Sequence, residues 1–367
     1  MARATQDEVD TAPAFVGIDG ILGQGRAIAT LTEAMASGRV HHAWIFAGPF
    51  GVGKFTTARA FASMLMDPTL ERDLAGNLRP DPESTTQRLI REGNHPDLHV
   101  ITKELALFSS DSGVRSRKQL TIAKEVILDH LLKPIALAPT IRTGSIASKV
   151  FIVDEAELLD RSLTNAPTQN AMLKCLEEPP DGSVIILVTT SVDALLPTIR
   201  SRCQIVSFNA LDDPSMDAWL GRAELGLAPD AIEWVKRYAS GSPGRAVLAA
   251  TSGIADWRHT VDPILADIER GRFDPGHGAA LAKTVDDWAA AWVKSHANAS
   301  KESASHAGAD HMFNLIADRL RERLRGSLDD PARSLVAIDA LNEAQRHAAA
   351  NVSLAFVFDN LVAALTR

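Results

Sequence analysis

Residues 48–58 read GPFGVGKFTTA, Gly48 to Ala58. The run comes within one residue of the phosphate-binding loop G-x-x-x-x-G-K-[ST]. Gly48, Gly53 and Lys54 stand in register, with Gly51 between them, and Phe55 occupies the place of the hydroxyl that would hold Mg²⁺. Before it, HAWIFAG (42–48) is an apolar run ending in glycine and reads as a buried strand. After it, KFTTARAFASMLM (54–66) reads as a helix. Strand, Gly-rich loop and helix are the setting in which such a loop cradles phosphate: glycines let backbone N–H groups crowd around the oxygens, and the helix N-terminus adds a favourable dipole. Lys54 would reach the β- and γ-phosphates. A Gly-rich turn with no ligand is the competing reading.

On either side, ILGQGRAIATLTEAMASGRV (21–40) has apolar residues at helical spacing, and PDLHVI (96–101), KVFIVDEAE (149–157) and SVIILVTT (183–190) read as strands. LTIAKEVILDHLLKPIAL (120–137) is predicted helical up to Pro134. NAPTQNAMLKCLEEPP (165–180) is predicted as a helix with Pro167 near its start and a Pro-Pro stop, and LLPTIRSRCQIVSF (195–208) as a short helix leading into a last strand. Strands alternating with helices imply an α/β fold, a parallel sheet covered by helices on both faces. Residues 67–95 read as a surface excursion rich in Pro, Asp, Asn, Gly and Arg, and 111–119 as a polar, basic loop containing RSRK at 115–118. Past about residue 210 the strands stop. Three short helical runs and then long amphipathic helices follow, broken by SHANASKESASHAGADH (295–311), which reads as a polar linker.

The bulk numbers agree with this organisation. The 367 residues suffice for two or three domains, and 46% hydrophobic with 23% charged residues is ordinary for a globular chain. A net charge of −8 argues against a surface that grips nucleic acid throughout. The two cysteines, Cys175 and Cys203, cannot by themselves make a four-cysteine zinc site. No signal peptide, membrane span or oxidising compartment is expected, so the cytoplasm is the default.

Three further constellations carry chemistry. Asp154 and Glu155 close a buried strand, where carboxylates face the crevice that binds ligands in parallel sheets. In an ATPase the first supports the Mg²⁺ shell and the second polarises the attacking water; solvated acids capping a helix are the alternative. Thr190, in the Thr189-Thr190-Ser191 run, could sit between the acids and a γ-phosphate, or cap the following turn. Arg202, in Ser201-Arg202-Cys203, could complete a neighbour's nucleotide site, while spacing alone leaves a surface arginine open.

The segments 23–54, GNHPDLHVI (93–101), KVFIVDEAE, QNAMLKCLEEPP (169–180) and LLPTIRSRCQ (195–204) together resemble the bacterial clamp-loader ATPases, the AAA+ subunits of DNA polymerase III. The resemblance covers about 17–210 densely and the helical tail more loosely. It implies a polar tail over 1–15, an AAA+ P-loop domain over 16–209, a helical lid over 210–255 and a helical collar for oligomerisation over 256–367. Within the family the chain is similar to the delta-prime branch, because Phe55 departs from the intact GK[ST] of gamma/tau and no tau-like extension follows. The implied function is assembly with gamma/tau and delta subunits to load the sliding clamp on primer–template DNA. Arg202 would serve as an arginine finger in trans, Arg245 in GSPGRAV would take the sensor-2 place, and Glu155 would be the Walker B acid, vestigial if turnover is lost. ATP or ADP binding would be weak, through Gly48, Gly51, Gly53, Lys54, Thr56, Asp154, Thr190 and Arg245, with little or no turnover. Thr56 lies about 100° around the helix from position 55 and does not simply replace the missing hydroxyl. The family places a four-cysteine zinc module where 67–95 has no cysteine, so zinc is expected to be absent. A gamma-type ATPase is the alternative, and a stand-alone AAA+ DNA helicase or remodeller the second.

Overall fold

The computed structural model describes residues 15–73, 76–109, 111–115, 121–142, 144–160, 164–296, 300–326, 331–350 and 352–366. The tail read over 1–15, save for Phe15, and three residues of the 115–118 basic cluster lie outside them. The chain divides into two compact units, Met1–Ser215 and Met216–Arg367.

The first unit is built on β1 (Ala43–Ala47), a small hairpin of β2 (Glu71–Arg72) and β3 (Leu78–Arg79), then β4 (Leu98–Ile101), β5 (Lys149–Val153), β6 (Ser183–Thr189) and β7 (Gln204–Ser207). Five of them form one sheet in the order β4-β5-β6-β1-β7, every pair parallel. The strands β1, β5 and β6 are buried along their whole length, as near-continuous apolar runs covered on both faces must be. Alternation along each strand divides the interior in two. Trp44, Phe46, Val150, Ile152 and Ile186 face one core, with Leu31 and Phe61 from the helices Gly25–Ala36 and Lys54–Leu65. Ile45, Phe151, Val153 and Leu187 face the other, with Ile127, Leu131, Met172 and Leu176. This is the α/β architecture read from the sequence, a parallel sheet with helices packed on both faces. The carboxyl ends of β1, β5 and β6 come to one edge, and the candidate site lies there.

One expectation is met and one is corrected. The helix read up to Pro134 ends at Ile135, after a wider turn over Leu128–Leu132. Pro134 lacks an N–H and would clash with a carbonyl four residues back, and the widened turn removes that conflict. The linker read over 295–311 is mostly helix: Lys301–Gly326 takes up its second half. Its small residues permit close packing instead of chain freedom. Ala304 and Ala309 are buried, and Gly308 lies against Val285 and Trp288, where a Cβ would come within 3.0 Å of both.

The second unit is all helical. Pro229–Ala239 and Pro243–Thr251 pack together, and the Ser242 hydroxyl caps the latter by accepting the Arg245 N–H at 3.2 Å. Helix Gly276–Ser295 packs on both Lys301–Gly326 and Leu354–Thr366, and Pro331–Ala349 packs on Leu354–Thr366. Phe313 and Phe358 meet at 5.3 Å in this core. At Gly278 the crossing is so close that a Cβ would stand 2.4 Å from the Asp359 nitrogen. Among the described residues no helix is long and apolar enough to cross a membrane.

Candidate functional site

The loop after β1 is held by its backbone. Gly48 donates its N–H to Thr189 O at 3.3 Å, and a Cβ there would lie 2.3 Å from Phe208 O, so no other residue fits. Gly53 has φ +97° and opens the helix Lys54–Leu65, whose first N–H groups point along the loop. Gly51 turns the loop before it. Lys54 is buried and donates from Nζ to Gly48 O at 2.7 Å and Pro49 O at 2.5 Å. Burial pulls its ammonium below the ordinary range, against the opposing charges of Glu157 and Asp154. The lysine, the loop and the acids therefore share one electrostatic site.

Phe55 does not face that site as a ligand. It is half-buried and packs against the core that holds Trp44 and Phe61. Thr56 is also half-buried, and the Thr57 hydroxyl turns back to Gly53 O at 2.8 Å. Backbone N–H groups and Lys54 can hold phosphate here, whereas position 55 supplies no oxygen for a hard cation.

The acids at the end of β5 occupy three different environments. Asp154 accepts the Glu155 N–H at 3.0 Å, and its carboxyl is pushed up to about 6, by burial first and then by the Glu155 and Glu157 charges. Glu155 has a left-handed backbone, φ +50°, and pairs with Lys103 at 2.6 Å. Burial works to lower the Lys103 ammonium, but the Glu155 charge and hydrogen bond outweigh it and hold it above its ordinary range. Glu157 accepts both the hydroxyl and the N–H of Thr190. Thr190, at the tip of β6, thus bonds the third acid of the run.

Arg202 lies just before β7, one-third exposed, and its guanidinium meets Glu177 Oε1 at 2.5 Å and Thr198 O at 2.8 Å. The two segments LEEPP and SRC are therefore in contact. Arg245 belongs to the second unit, where its charge bears on Tyr238, His311 and Asp318.

Four residues that matter here were not singled out from the sequence: Gln24, Lys103, Glu157 and Glu177. Gln24 is buried, donates to Val52 O at 3.0 Å and Asn209 O at 2.8 Å, and accepts the Asn209 N–H at 3.3 Å. It fastens the glycine-rich loop to the chain leaving β7. A glutamine in an otherwise apolar-and-glycine approach to a helix was the available signal. The excursion over 67–95 is closed by Asp67, which accepts from Thr69, Ser84 and Gln87. Burial pushes the Asp67 carboxyl up, but these bonds outweigh it and hold it below its ordinary range. Among the described residues no group of three or more His, Cys, Asp or Glu side chains is placed to hold a metal ion.

The family described as "DNA polymerase III, delta subunit" matches residues 23–212, the span that holds this loop, the acids and Arg202. DNA polymerase III subunit tau of Salmonella typhimurium is 28% identical over 271 residues, covering 73% of this chain and 38% of its own length. Subunit tau/gamma of Haemophilus influenzae is 31% identical over 304 residues, covering 75% of this chain and 38% of its own. The chain thus spans well under half the length of these two relatives. A gamma subunit-related protein from Thermotoga maritima aligns over 92% of this chain and 98% of its own, at 15% identity and a TM-score of 0.43.

Proposed function

The chain belongs to the DNA polymerase III delta-subunit family, and on that premise we propose that it is a delta-prime-like subunit of a bacterial clamp loader. In this reading it assembles in the cytoplasm with gamma/tau and delta subunits and helps place the sliding clamp on primer–template DNA. The helical region supplies a lid over 210–255 and a collar over 256–367. Arg202 is presented to a neighbour's ATP site as an arginine finger. The chain's own loop takes ATP or ADP weakly, through Gly48, Gly51, Gly53 and Lys54, and turns over little. Thr56, Asp154 and Thr190 border that nucleotide, Glu155 is a vestigial Walker B acid, and Arg245 keeps the sensor-2 role by its motif.

The observation that carries this reading is Phe55, packed against the hydrophobic core where a Mg²⁺ ligand belongs. A metal that demands near-octahedral oxygen coordination gains nothing from a phenyl ring. Lys103 reinforces the point by engaging Glu155, the acid that would polarise water. One observation favours a gamma-type ATPase instead: Lys54, Asp154 and Glu155 are all retained, and Asp154 bears electrostatically on Lys54. The names of the curated relatives, gamma and tau, support that reading equally.

The test has two arms. The purified chain is mixed with gamma/tau and delta subunits and its incorporation measured; failure to join them refutes the subunit role. Separately, ATP turnover and Mg²⁺-nucleotide affinity are measured for the free chain and for Phe55→Thr. The free chain is expected to be inactive, and Phe55→Thr to bind about tenfold tighter, the worth of one charge-assisted ligand. Turnover by the unaltered free chain would establish the gamma-type reading instead.

A further inference from the structure

Arg202 is fixed from two sides. From its own turn, Nη1 donates to Thr198 O at 2.8 Å and to Ser201 Oγ at 3.4 Å. From a separate element, Nη2 meets Glu177 Oε1 at 2.5 Å. These contacts use three of the five N–H donors of a guanidinium, in a planar fork whose orientation they set. Glu177 is the last residue of helix Pro167–Glu177 and is followed by Glu178-Pro179-Pro180, so the helix end is firmly placed. That helix is also tied to the approach of the Arg202 turn. Buried Gln169 donates to Ala194 O at 3.1 Å and accepts the Leu196 N–H at 2.7 Å. A carboxylate at a helix C-terminus is disfavoured by the helix dipole, and a cation there relieves it. Helix stability alone would therefore not select Glu at position 177; the arginine facing it supplies a reason.

We propose that Glu177 is the positioning residue of Arg202: its carboxylate fixes the guanidinium plane at the surface so that the remaining donors point outward to an anionic phosphate group of a neighbouring chain. The proposal rests on the finger role given to Arg202 above and adds the residue that aims it. Arg202 remains 34% exposed while so held, which an internal structural pair would not require. The neighbouring Arg200 provides a contrast. It is about equally exposed, at 32%, but its partner Asp193 is 93% exposed and stands almost wholly in solvent.

The experiment uses the reconstituted complex and the free chain together. In the complex, ATP turnover per assembled particle is measured for wild type, Glu177→Gln, Arg202→Ala and the double variant. Glu177→Gln keeps the shape and removes the charge. It is expected to slow turnover about fivefold, the rate equivalent of a part-exposed ion pair, and to have no further effect once Arg202 is alanine. In the free chain, the rate at which phenylglyoxal modifies Arg202 is read by mass spectrometry. It is expected to rise in Glu177→Gln while Arg200, the internal control, is unchanged. If Arg202→Ala leaves turnover intact, the finger reading fails and the positioning role falls with it. Slow Arg202→Ala beside normal or faster Glu177→Gln overturns the positioning role alone, as does an equal loss from Glu177→Gln in the alanine background. Should Glu177→Gln fail to assemble, unchanged Arg202 labelling in its free chain overturns the proposal on its own.

Discussion

Replacing Asp154 by Asn should stabilise the free chain at neutral pH. Burial, together with the Glu155 and Glu157 charges, pushes the Asp154 carboxyl up to about 6 from an ordinary 3.8. The folded chain therefore holds a proton in a range where the unfolded chain has released it. Between pH 3.8 and about 6 the folded state binds more protons, so stability falls as pH rises through that window. Above it the full penalty applies, about 3 kcal/mol, since each tenfold change in proton affinity is worth about 1.36 kcal/mol. Asparagine never ionises and keeps an oxygen to accept the Glu155 N–H. Asp154→Asn is thus expected to gain about 3 kcal/mol at most at pH 8, about half of that at pH 5, and almost nothing near pH 4. Urea unfolding of both proteins at the three pH values reads the difference, with unchanged m-values showing that the unfolded states are comparable. Equal stability at pH 8, or a gain that grows on acidification, would refute the reasoning.

Two other perturbations test the second unit. Gly278→Ala drives a Cβ into the Asp359 backbone, 2.4 Å from its nitrogen, and should cost about 1–3 kcal/mol as overpacking; thermal unfolding reads it, and an unchanged midpoint would show that the two helices can part freely. His311 is pulled down to about 4, by burial first and by the Arg245 charge second, so the unfolded chain takes up its proton first as pH falls. Stability should drop by up to about 3 kcal/mol between pH 6.5 and 4, in the sense opposite to Asp154, and this component should vanish in His311→Gln; a pH dependence identical in the two proteins counts against it.

The first unit was legible because its signals are local. A five-residue run such as Ala43–Ala47 is buried throughout only as a central strand, and glycine spacing announces the loop that follows. Pro134 marked its helix end to within one residue, and the wide turn at Leu128–Leu132 accommodates it inside the last turn. Residues 301–311 misled. Ala, Ser and Gly signal a flexible linker when solvated, and a close helix contact when a tryptophan lies opposite, as Trp288 does at Gly308. Composition does not say which, since the partner is 20 residues away in sequence and belongs to another helix.

The site divides along the same line. Gly48, Gly53, Lys54 and Asp154 could be read because a backbone demand or a charge in apolar surroundings stands out within a few residues. Gln24, Lys103, Glu157 and Glu177 could not, because each is defined by a partner far along the chain: Val52 for Gln24, 28 residues on, Glu155 for Lys103, 52 residues on, Thr190 for Glu157, 33 residues on, and Arg202 for Glu177. The run Asp154-Glu155-Ala156-Glu157 shows what this means energetically. Three carboxylates within four residues find different partners: Asp154 is shielded from water and accepts the Glu155 N–H within reach of the Lys54 charge, Glu155 pairs with Lys103, and Glu157 accepts from Thr190. Burial leaves Asp154 with an ionisation cost that the Glu155 N–H and the Lys54 charge only partly offset. Across the loop, Phe55 packs its ring against the core, so position 55 supplies no oxygen for a cation that would offset the rest.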